Sequence, residues 1–471
     1  MGRGRSRAVK APPGTLAPTP LHSGWRATLR GLTKPTPARL ALGAFTGLIA
    51  IVTVLLMMPF ATADGSTTPF VDALFTAISA ICVTGLSTVD TGAHWSDGGL
   101  TVIMVAVKLG GMGMLTLASL LTLSVARSIG LAQRIGTATE TRSESIAEVG
   151  GVLRTIVITS TTFEVLTFIA LTPYMIITDH PFWRSVFLGM FYAISAFNNA
   201  GFVPEAEGVT QYASDPLFLV PIGLAVLVGS LGFPVILVVV KKWRRPRRWS
   251  VHVKLTLATS GLLLAVAWLG YLVMEWSNEM TLGPLGIGEK LLASGFTAIM
   301  PRSGGFAILD VGYLTGESRL LTDVLMFIGG GSGSTAGGIR VTTFALLVLS
   351  IWAEMRGNKD VEVFQRRIPQ ETIRQAIGVL VMGSAVVLAG TFALLRLTSF
   401  TLDQSLFEVL SAFGTVGLSY GITDELSTGA KLVLAACMYI GRVGPVTLGA
   451  ALALRSRTRM VRFPSERPIV G

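Results

Sequence analysis

Charged side chains are scarce in this sequence, and acidic ones are scarcer than basic ones. Asp, Glu, Lys and Arg make up 14% of the 471 residues, whereas 51% are hydrophobic and the mean hydropathy is +0.64. Soluble globular chains carry roughly 25% charged residues, because polar groups cover much of their surface. The composition therefore argues against a soluble protein, and a lipid bilayer is expected to cover much of the surface.

Cysteine and histidine are also rare. The two cysteines, Cys82 and Cys437, lie in apolar surroundings, which favours buried free thiols and offers no disulfide framework. The four histidines are scattered along the chain and form no metal-binding cluster. No nucleophile is paired with a base, so the sequence does not indicate an enzyme, and no covalent cofactor is expected.

Long apolar runs are abundant. A helix that crosses a bilayer needs about 20 mostly apolar residues, and eight segments qualify: 39–60, 98–126, 151–178, 216–240, 251–276, 319–351, 373–398 and 428–454. Four shorter apolar stretches lie between alternate pairs, at 69–84, 182–199, 287–300 and 403–415. These stretches are too short to cross and fit re-entrant helices. We therefore predict an all-α membrane protein with eight transmembrane helices and four re-entrant pore hairpins.

The net charge of +11 is concentrated between the apolar runs. Of the 38 basic residues, 29 lie in five segments that fall on one side of the predicted membrane: 1–39, 127–154, 241–254, 352–374 and 455–467. Basic loops are retained in the cytoplasm. The charge thus predicts a multi-pass protein of the cell membrane with both termini in the cytoplasm, and it requires no nucleic-acid partner.

The four short stretches end in similar sequences. In three of them a Phe precedes a Ser-Ala pair, and a Gly follows the Ser by six positions, as in Ser79 and Gly85, Ser195 and Gly201, and Ser411 and Gly417. The third copy, from Phe296 to Phe306, is one residue shorter and lacks the Ser-Ala pair. One such glycine alone would indicate close helix packing. Four matched copies instead indicate four repeats of helix, pore hairpin and helix in a pseudo-fourfold arrangement around one pore.

An ion pore explains why such loops carry glycine. Backbone carbonyl groups replace the water around a potassium ion only where an extended chain points them at the axis. Glycine allows the backbone angles this requires and keeps side chains out of the path. The candidate selectivity-filter residues, which would bind the potassium ion, are Val83, Thr84, Gly85, Asn199, Ala200, Gly201, Ser303, Gly304, Gly305, Thr415, Val416 and Gly417.

The motifs as a group resemble those of a known family. The sequence is similar to the Trk/Ktr/HKT superfamily of potassium transporters, and most to its KtrB-type membrane subunits, from about residue 40 to 455. The resemblance rests on the stretches 83–86, 198–202, 301–306, 329–338, 414–419 and 441–445. Only one span precedes the first hairpin, which favours the Ktr type over the Trk type.

The resemblance implies several further properties. The chain would form a homodimer with one pore per protomer, assembled on a cytosolic ring of nucleotide-binding KtrA-type subunits. Potassium would be the substrate, and sodium would modulate its uptake. The expected organisation is a basic tail at 1–38, repeats at 39–127, 151–241, 251–351 and 373–455, and a tail at 456–471.

A run of small residues interrupts the sixth apolar segment: Gly329, Gly330, Gly331, Ser332, Gly333, Ser334, Thr335, Ala336, Gly337 and Gly338. It lacks the Lys-Ser/Thr ending of a nucleotide-binding loop, so a packing kink remains the simpler alternative. The resemblance implies an intramembrane loop that gates the pore below the filter. Arg442, with five N–H donors, is expected to hold this loop closed by binding its unpaired carbonyl groups.

Several other charges lie within apolar segments. Lys108 stands where the family resemblance implies an uncharged polar residue, and an ion pair with Glu164 or another buried acid is the favoured explanation over contact with a permeating ion. For Arg302, Arg340 and Arg396 we expect a salt bridge or a position at the membrane surface.

A different class of function fits some of these features. Secondary carriers that couple protons or sodium to an organic solute also use repeats, broken helices and charges at the membrane midplane. Four matched glycine loops favour the pore, because a carrier needs no fourfold filter. A membrane scaffold without transport activity would give no reason for these loops.

Overall fold

The protein is described here by a computed structural model that covers residues 37–112, 141–178 and 181–444. The predicted tails, most of the loop at 127–150 and the end of the motif at 441–445 lie outside these residues. The helices are, in chain order, α1 (Pro37–Leu56), α2 (Phe70–Cys82), α3 (Thr91–His94), α4 (Asp97–Gly111), α5 (Thr141–Ile177), α6 (Phe182–Phe197), α7 (Pro216–Leu231), α8 (Phe233–Lys242), α9 (Val251–Met274), α10 (Ile287–Ile299), α11 (Gly316–Phe327), α12 (Val341–Met355), α13 (Gln370–Leu397), α14 (Leu402–Gly414) and α15 (Thr428–Val443). A two-stranded antiparallel hairpin pairs β1 (Glu362–Val363) with β2 (Arg366–Arg367).

The four short apolar stretches are helices: α2, α6, α10 and α14. Local sequence sets their first turns, because α2 and α6 begin directly after Pro69 and Pro181, and a proline needs no N–H partner at a helix start. At α14, Thr401 and Gln404 form a capping box that pairs two backbone N–H groups. That these helices enter and leave the membrane on one side stays a prediction.

Fewer helices than expected are long and continuous. By length and composition, three helices in the described ranges could cross a membrane: Ile156–Ile177 within α5, α9 and α13. A fourth is added if α7 and α8 count as one bent span. Helix α4 ends at Gly111 and α15 at Val443, next to segments that are not described. The count of eight spans therefore stays a prediction.

Two predicted spans are broken. The sixth separates into α11 and α12 around the run of small residues, as its glycines suggested. The fourth was predicted as one helix over 216–240, and this is wrong: α7 and α8 meet at 101°. Gly232 lies at the junction with φ of +96°, and Pro234 follows in the first turn of α8. A left-handed residue next to a proline cannot continue a helix.

The packing of the helices closes a cycle. Each helix that follows a short helix lies against the short helix of the next unit: α4 packs on α6, α7 on α10, and α11 on α14. The last helix, α15, packs on α2 of the first unit. The four short helices are therefore held side by side, and the loops that follow them are brought to one place.

The junction at Gly232 should tolerate no side chain. A Cβ atom there would lie 2.8 Å from the carbonyl oxygen of Ser332 and would also require a left-handed backbone. We expect Gly232→Ala to destabilise the protein by about 1–3 kcal/mol, since strain and overpacking add. Gly208→Ala is the matched control, because φ is +69° and nothing lies within 4 Å of its Cβ position. The unfolding midpoint in detergent should fall clearly more for the first variant, and equal shifts would contradict the tight junction.

Candidate functional site

The loops after the four short helices share one backbone conformation. A non-glycine residue adopts left-handed angles at the start of each loop, with φ of 58° at Val83, 60° at Asn199, 72° at Ser303 and 45° at Thr415. Two residues later a glycine is also left-handed: Gly85, Gly201, Gly305 and Gly417. Left-handed non-glycine residues are uncommon, so a fourfold recurrence is a property of the repeat. The third loop, although shorter, follows the same pattern.

The Ser-Ala pair of the motif stabilises this conformation. The Oγ atoms of Ser79 and Ser411 accept hydrogen bonds from the N–H groups of Gly85 and Gly417, at 3.0 and 3.1 Å. In the second loop the Ser195 hydroxyl donates instead to the carbonyl oxygen of Phe202. The serines thus tie each loop to the end of its own helix.

The third loop has the same backbone conformation but no serine to stabilise it. The N–H of its middle residue, Gly304, binds the carbonyl of Met300 at 2.7 Å. In the other loops the middle N–H reaches back one residue further, to the carbonyl of the serine at 2.8 Å. The turn of the third loop is therefore one residue shorter, and Gly305 still occupies the position that a glycine has in the other three loops.

The glycines make contact around a closed ring. A Cβ atom on Gly85 would collide with the carbonyl of Ala200, and one on Gly201 with Gly305. On Gly305 it would collide with the carbonyl of Val416, and on Gly417 with that of Thr84. Each loop therefore contacts the loop of the next unit, and the fourth loop contacts the first. The structure thus brings together the twelve residues predicted for the filter, which we call the loop ring.

The central residues of the loop ring are buried, and their carbonyl groups have no hydrogen-bond partner among the described residues. These are the carbonyls of Thr84, Ala200, Gly304 and Val416, whose residues are all buried. Within the described ranges, none of the four oxygens accepts a hydrogen bond. Buried carbonyls almost always have a partner. Four unpaired oxygens in a ring form a site of partial negative charge that suits a dehydrated cation.

Comparison with known proteins agrees with this geometry. The model of the TrkH family, described as a cation transport protein, matches residues 44–458. The chain belongs to this family. It is 38% identical to Ktr system potassium uptake protein B of Bacillus subtilis, over 92% of this chain and 96% of the relative. It is 33% identical to the protein of the same name in Vibrio alginolyticus, over 92% and 94%.

Two further relatives extend the comparison. The potassium/sodium uptake protein NtpJ of Enterococcus hirae is 30% identical over 93% of this chain and 97% of its own. The crystal structure of the potassium transporter TrkH from Vibrio parahaemolyticus superposes with a TM-score of 0.65 at 19% identity, covering 87% of this chain and 84% of that one. At that identity the match shows that the fold is the TrkH-family fold.

In this family member, the interrupted segment lies directly against the loop ring. We call residues 329–338 the glycine loop. The hydroxyl of Thr335 donates to the side-chain oxygen of Asn199 at 2.8 Å and to the carbonyl of Gly229 at 3.0 Å. A Cβ atom on Gly337 would collide with the side chain of Thr415. The N–H of Gly337 also donates to the hydroxyl of Ser303 at 3.4 Å, so the glycine loop touches the ring at the second, third and fourth copies.

Two arginines hold the glycine loop. Arg442 on α15 donates to the carbonyl of Thr335 and, at 2.6 Å, to the carbonyl of Gly110. This is the contact expected from the sequence. Arg340, at the start of α12, donates to the carbonyls of Ala336 and Gly331 and to the hydroxyl of Ser334. Arginine suits this role because its five donors serve several acceptors at once.

The expectation for Arg340 is therefore wrong, since its partners are the glycine loop and no ion pair to it is found in the described chain. The position of Arg340, two residues after Gly338, could have indicated this role, because a broken helix leaves nearby carbonyl groups without hydrogen-bond donors. Arg302 also departs from expectation. It is 2% exposed and donates to the carbonyl and hydroxyl of Ser260. Arg396 is exposed.

The favoured explanation of Lys108 is confirmed. Its ammonium group lies 2.5 Å from the Glu164 carboxylate and also donates to the hydroxyl of Ser160. The sequence did not reveal the other partner: the amide of Asn198 donates to Glu164 at 2.8 Å. Asn198 directly precedes Asn199 of the loop ring. The ion pair therefore supports the second loop from below and lies beside the ring.

Breaking this pair on one side should be costly. The Glu164 side chain is 8% exposed, and removing one partner of a buried pair typically costs about 3–5 kcal/mol. We expect Glu164→Gln to lower the unfolding midpoint strongly and Lys108→Met in the same chain to recover most of the loss. Asp97→Asn, which neutralises the exposed pair of Asp97 with Arg184, should cost less than about 1 kcal/mol. No recovery in the double variant would contradict a mutually compensating pair.

Proposed function

We propose that this protein takes up potassium ions across the cell membrane, with the loop ring as its selectivity filter. The unpaired carbonyls of Thr84, Ala200, Gly304 and Val416 are the observation that carries the proposal. A ring of backbone carbonyls replaces the hydration shell of potassium. The relatives named as potassium uptake proteins support this choice of ion, because they align over nearly the whole chain. Potassium is the substrate, and no resident cofactor takes part.

The twelve residues of the loop ring have separate tasks in this proposal. The glycines allow close approach of neighbouring loops, and the middle residues supply the central carbonyls. The first residues, among them Asn199, Ser303 and Thr415, direct their side chains towards the glycine loop, as their hydrogen bonds and contacts indicate. Ions would pass from the carbonyl ring towards this polar lower end.

The glycine loop is the proposed gate. It touches the lower end of the ring through Thr335 and Gly337, and two arginines bind its carbonyls. In this position it obstructs the path below the filter. The permanent charge of Arg442 would also repel a cation while the gate is closed.

The proposed assembly follows from the family resemblance. The titles of two relatives name a Ktr system, and a homodimer on a cytosolic KtrA-type nucleotide-binding ring fits that name. Sodium is a proposed activator, since one relative is named for potassium and sodium uptake. Both termini would lie in the cytoplasm.

The carrier alternative loses its main support. It needed Lys108 and Glu164 as groups that exchange protons or ions during transport. The two side chains pair with each other and with Ser160 and Asn198, which supports a structural task for them.

A side chain on a ring glycine should impair ion discrimination. Gly85→Ser would push a Cβ against the Ala200 carbonyl and displace it from the ring. If the distortion costs potassium about 1.4 kcal/mol relative to sodium, the permeability ratio falls roughly tenfold. Gly65→Ser is the matched control, because Gly65 is also left-handed and has nothing within 4 Å. Flux of potassium and sodium into liposomes would measure the ratio, and an unchanged ratio in Gly85→Ser would rule out the filter assignment.

Releasing the glycine loop should open the path. We expect Arg442→Ala, or deletion of residues 332–334, to raise basal rubidium flux in liposomes by about tenfold, the effect of losing about 1.4 kcal/mol from the closed state. The combination should add little, because both changes release the same contact. Arg396→Ala serves as the control, since Arg396 is exposed. Wild-type basal flux in the single variants, or fully additive effects, would make Arg442 a structural charge and the loop a kink.

A further inference from the structure

A dense group of basic residues follows helix α8. We call Lys241, Lys242, Arg244, Arg245, Arg247 and Arg248 the basic cluster. All six are exposed, and in the part of the chain that the structure describes none of them forms an ion pair. Five of them and Trp243 line a shallow cavity of about 280 Å³. Uncompensated positive charge around a cavity favours an anionic ligand.

The surroundings of the basic cluster are apolar as well as cationic. Val240 is 64% exposed and Trp243 is 65% exposed, and both are adjacent to the lysines. The guanidinium of Arg244 lies 4.9 Å from the Trp243 ring centre. Exposed Trp beside Lys and Arg is typical of the boundary between lipid tails and headgroups.

The orientation of α8 agrees with this placement. Helix α7 exposes Leu217, Val220 and Leu224 along its length, as a helix in lipid does. Helix α8 turns by 101° from α7. If α7 crosses the bilayer, α8 runs nearly parallel to the membrane plane. Its basic end then faces the headgroups of the cytoplasmic leaflet, which carries the anionic lipids.

The other end of α8 is bound to the glycine loop. The N–H of Phe233 donates to the carbonyl of Gly333 at 3.1 Å. A Cβ on Gly333 would lie 3.2 Å from the Pro234 ring, and Gly232 packs on Ser332 in the same way. Eight helical residues, 233–240, therefore separate the glycine loop from the basic cluster, so one short helix connects the two.

We propose that the basic cluster binds the headgroups of anionic phospholipids and that α8 transmits this binding to the glycine loop. The transmission rests on the proposed gating function, whereas the lipid site stands without it. A ligand stabilises the conformation to which it binds best. The cavity is formed while the glycine loop lies against the ring. Anionic lipid thus favours the conformation in which the glycine loop closes the proposed path.

The test uses the purified full-length chain in two membranes, phosphatidylcholine alone and phosphatidylcholine with about one-third phosphatidylglycerol. Native mass spectrometry counts the bound phosphatidylglycerol, and hydrogen–deuterium exchange follows the peptide over 329–338. Rubidium flux gives the third readout. For the natural sequence, anionic lipid should remain bound, slow the exchange of the glycine loop and lower basal flux about threefold or more.

The test variant is Lys242→Gln/Arg245→Gln, and the matched control is Lys359→Gln/Arg366→Gln. The control removes the same charge from exposed residues between α12 and α13. Only the first variant should lose about half or more of the bound anionic lipid and its effects on exchange and flux.

Three outcomes would overturn the proposal. They are equal lipid loss in both variants, unchanged exchange of the glycine loop between the membranes, and loss of a soluble protein partner with an unchanged lipid response. The last would assign the basic cluster to a regulatory protein. A chain without flux in either membrane would contradict the proposed function, while lipid counts and exchange would still decide this inference.

Discussion

The main constraint on this fold comes from the four central carbonyl groups of the loop ring, which have no hydrogen-bond partner in the described protein. A backbone oxygen buried without a hydrogen bond costs free energy, so the rest of the chain must hold the loop ring against rearrangement. It does so in two ways. The serines and helix ends fix each loop from behind, and close contact of the glycines fixes each loop against its neighbour. The oxygens then have no way to find partners inside the protein.

The packing of the helices also holds the loop ring in place. A ring of four loops is stable only if the four short helices stay adjacent, and each is held by a helix from the preceding unit. The contact of α15 with α2 closes the cycle, so no unit is left with a free edge. Fourfold symmetry is only approximate, which leaves room for differences below the ring. The Lys108–Glu164 pair joins the first and second units, and the third unit contains a broken helix.

The sequence predicted the parts that the repeat encodes. Glycine spacing located all four loops, including the shorter third one, and the interruption at 329–338 was visible as a run of small residues. It did not predict the bend at Gly232, because the apolar run on both sides hides a single Gly-Phe-Pro. Nor did it identify Arg340 or Asn198 as partners. Such contacts depend on which carbonyl or carboxylate a fold brings near, and spacing along the chain does not contain that information.

The arginines below the ring explain how the proposed ion path can be occupied by a segment of the protein and still be lined with polar groups. A broken helix within a membrane leaves carbonyls that need donors, and lipid supplies none. Arg442 and Arg340 supply them, and the carbonyls in turn compensate two charges, one buried and one partly buried, that find no acid in the described chain. In the proposed closed state, the guanidinium of Arg442 therefore occupies the kind of oxygen environment that a potassium ion would use. In the proposed gating movement, withdrawal of the glycine loop would free the path and break the bond from Arg442 to the carbonyl of Thr335, while the carbonyl of Gly110 would continue to hold the guanidinium.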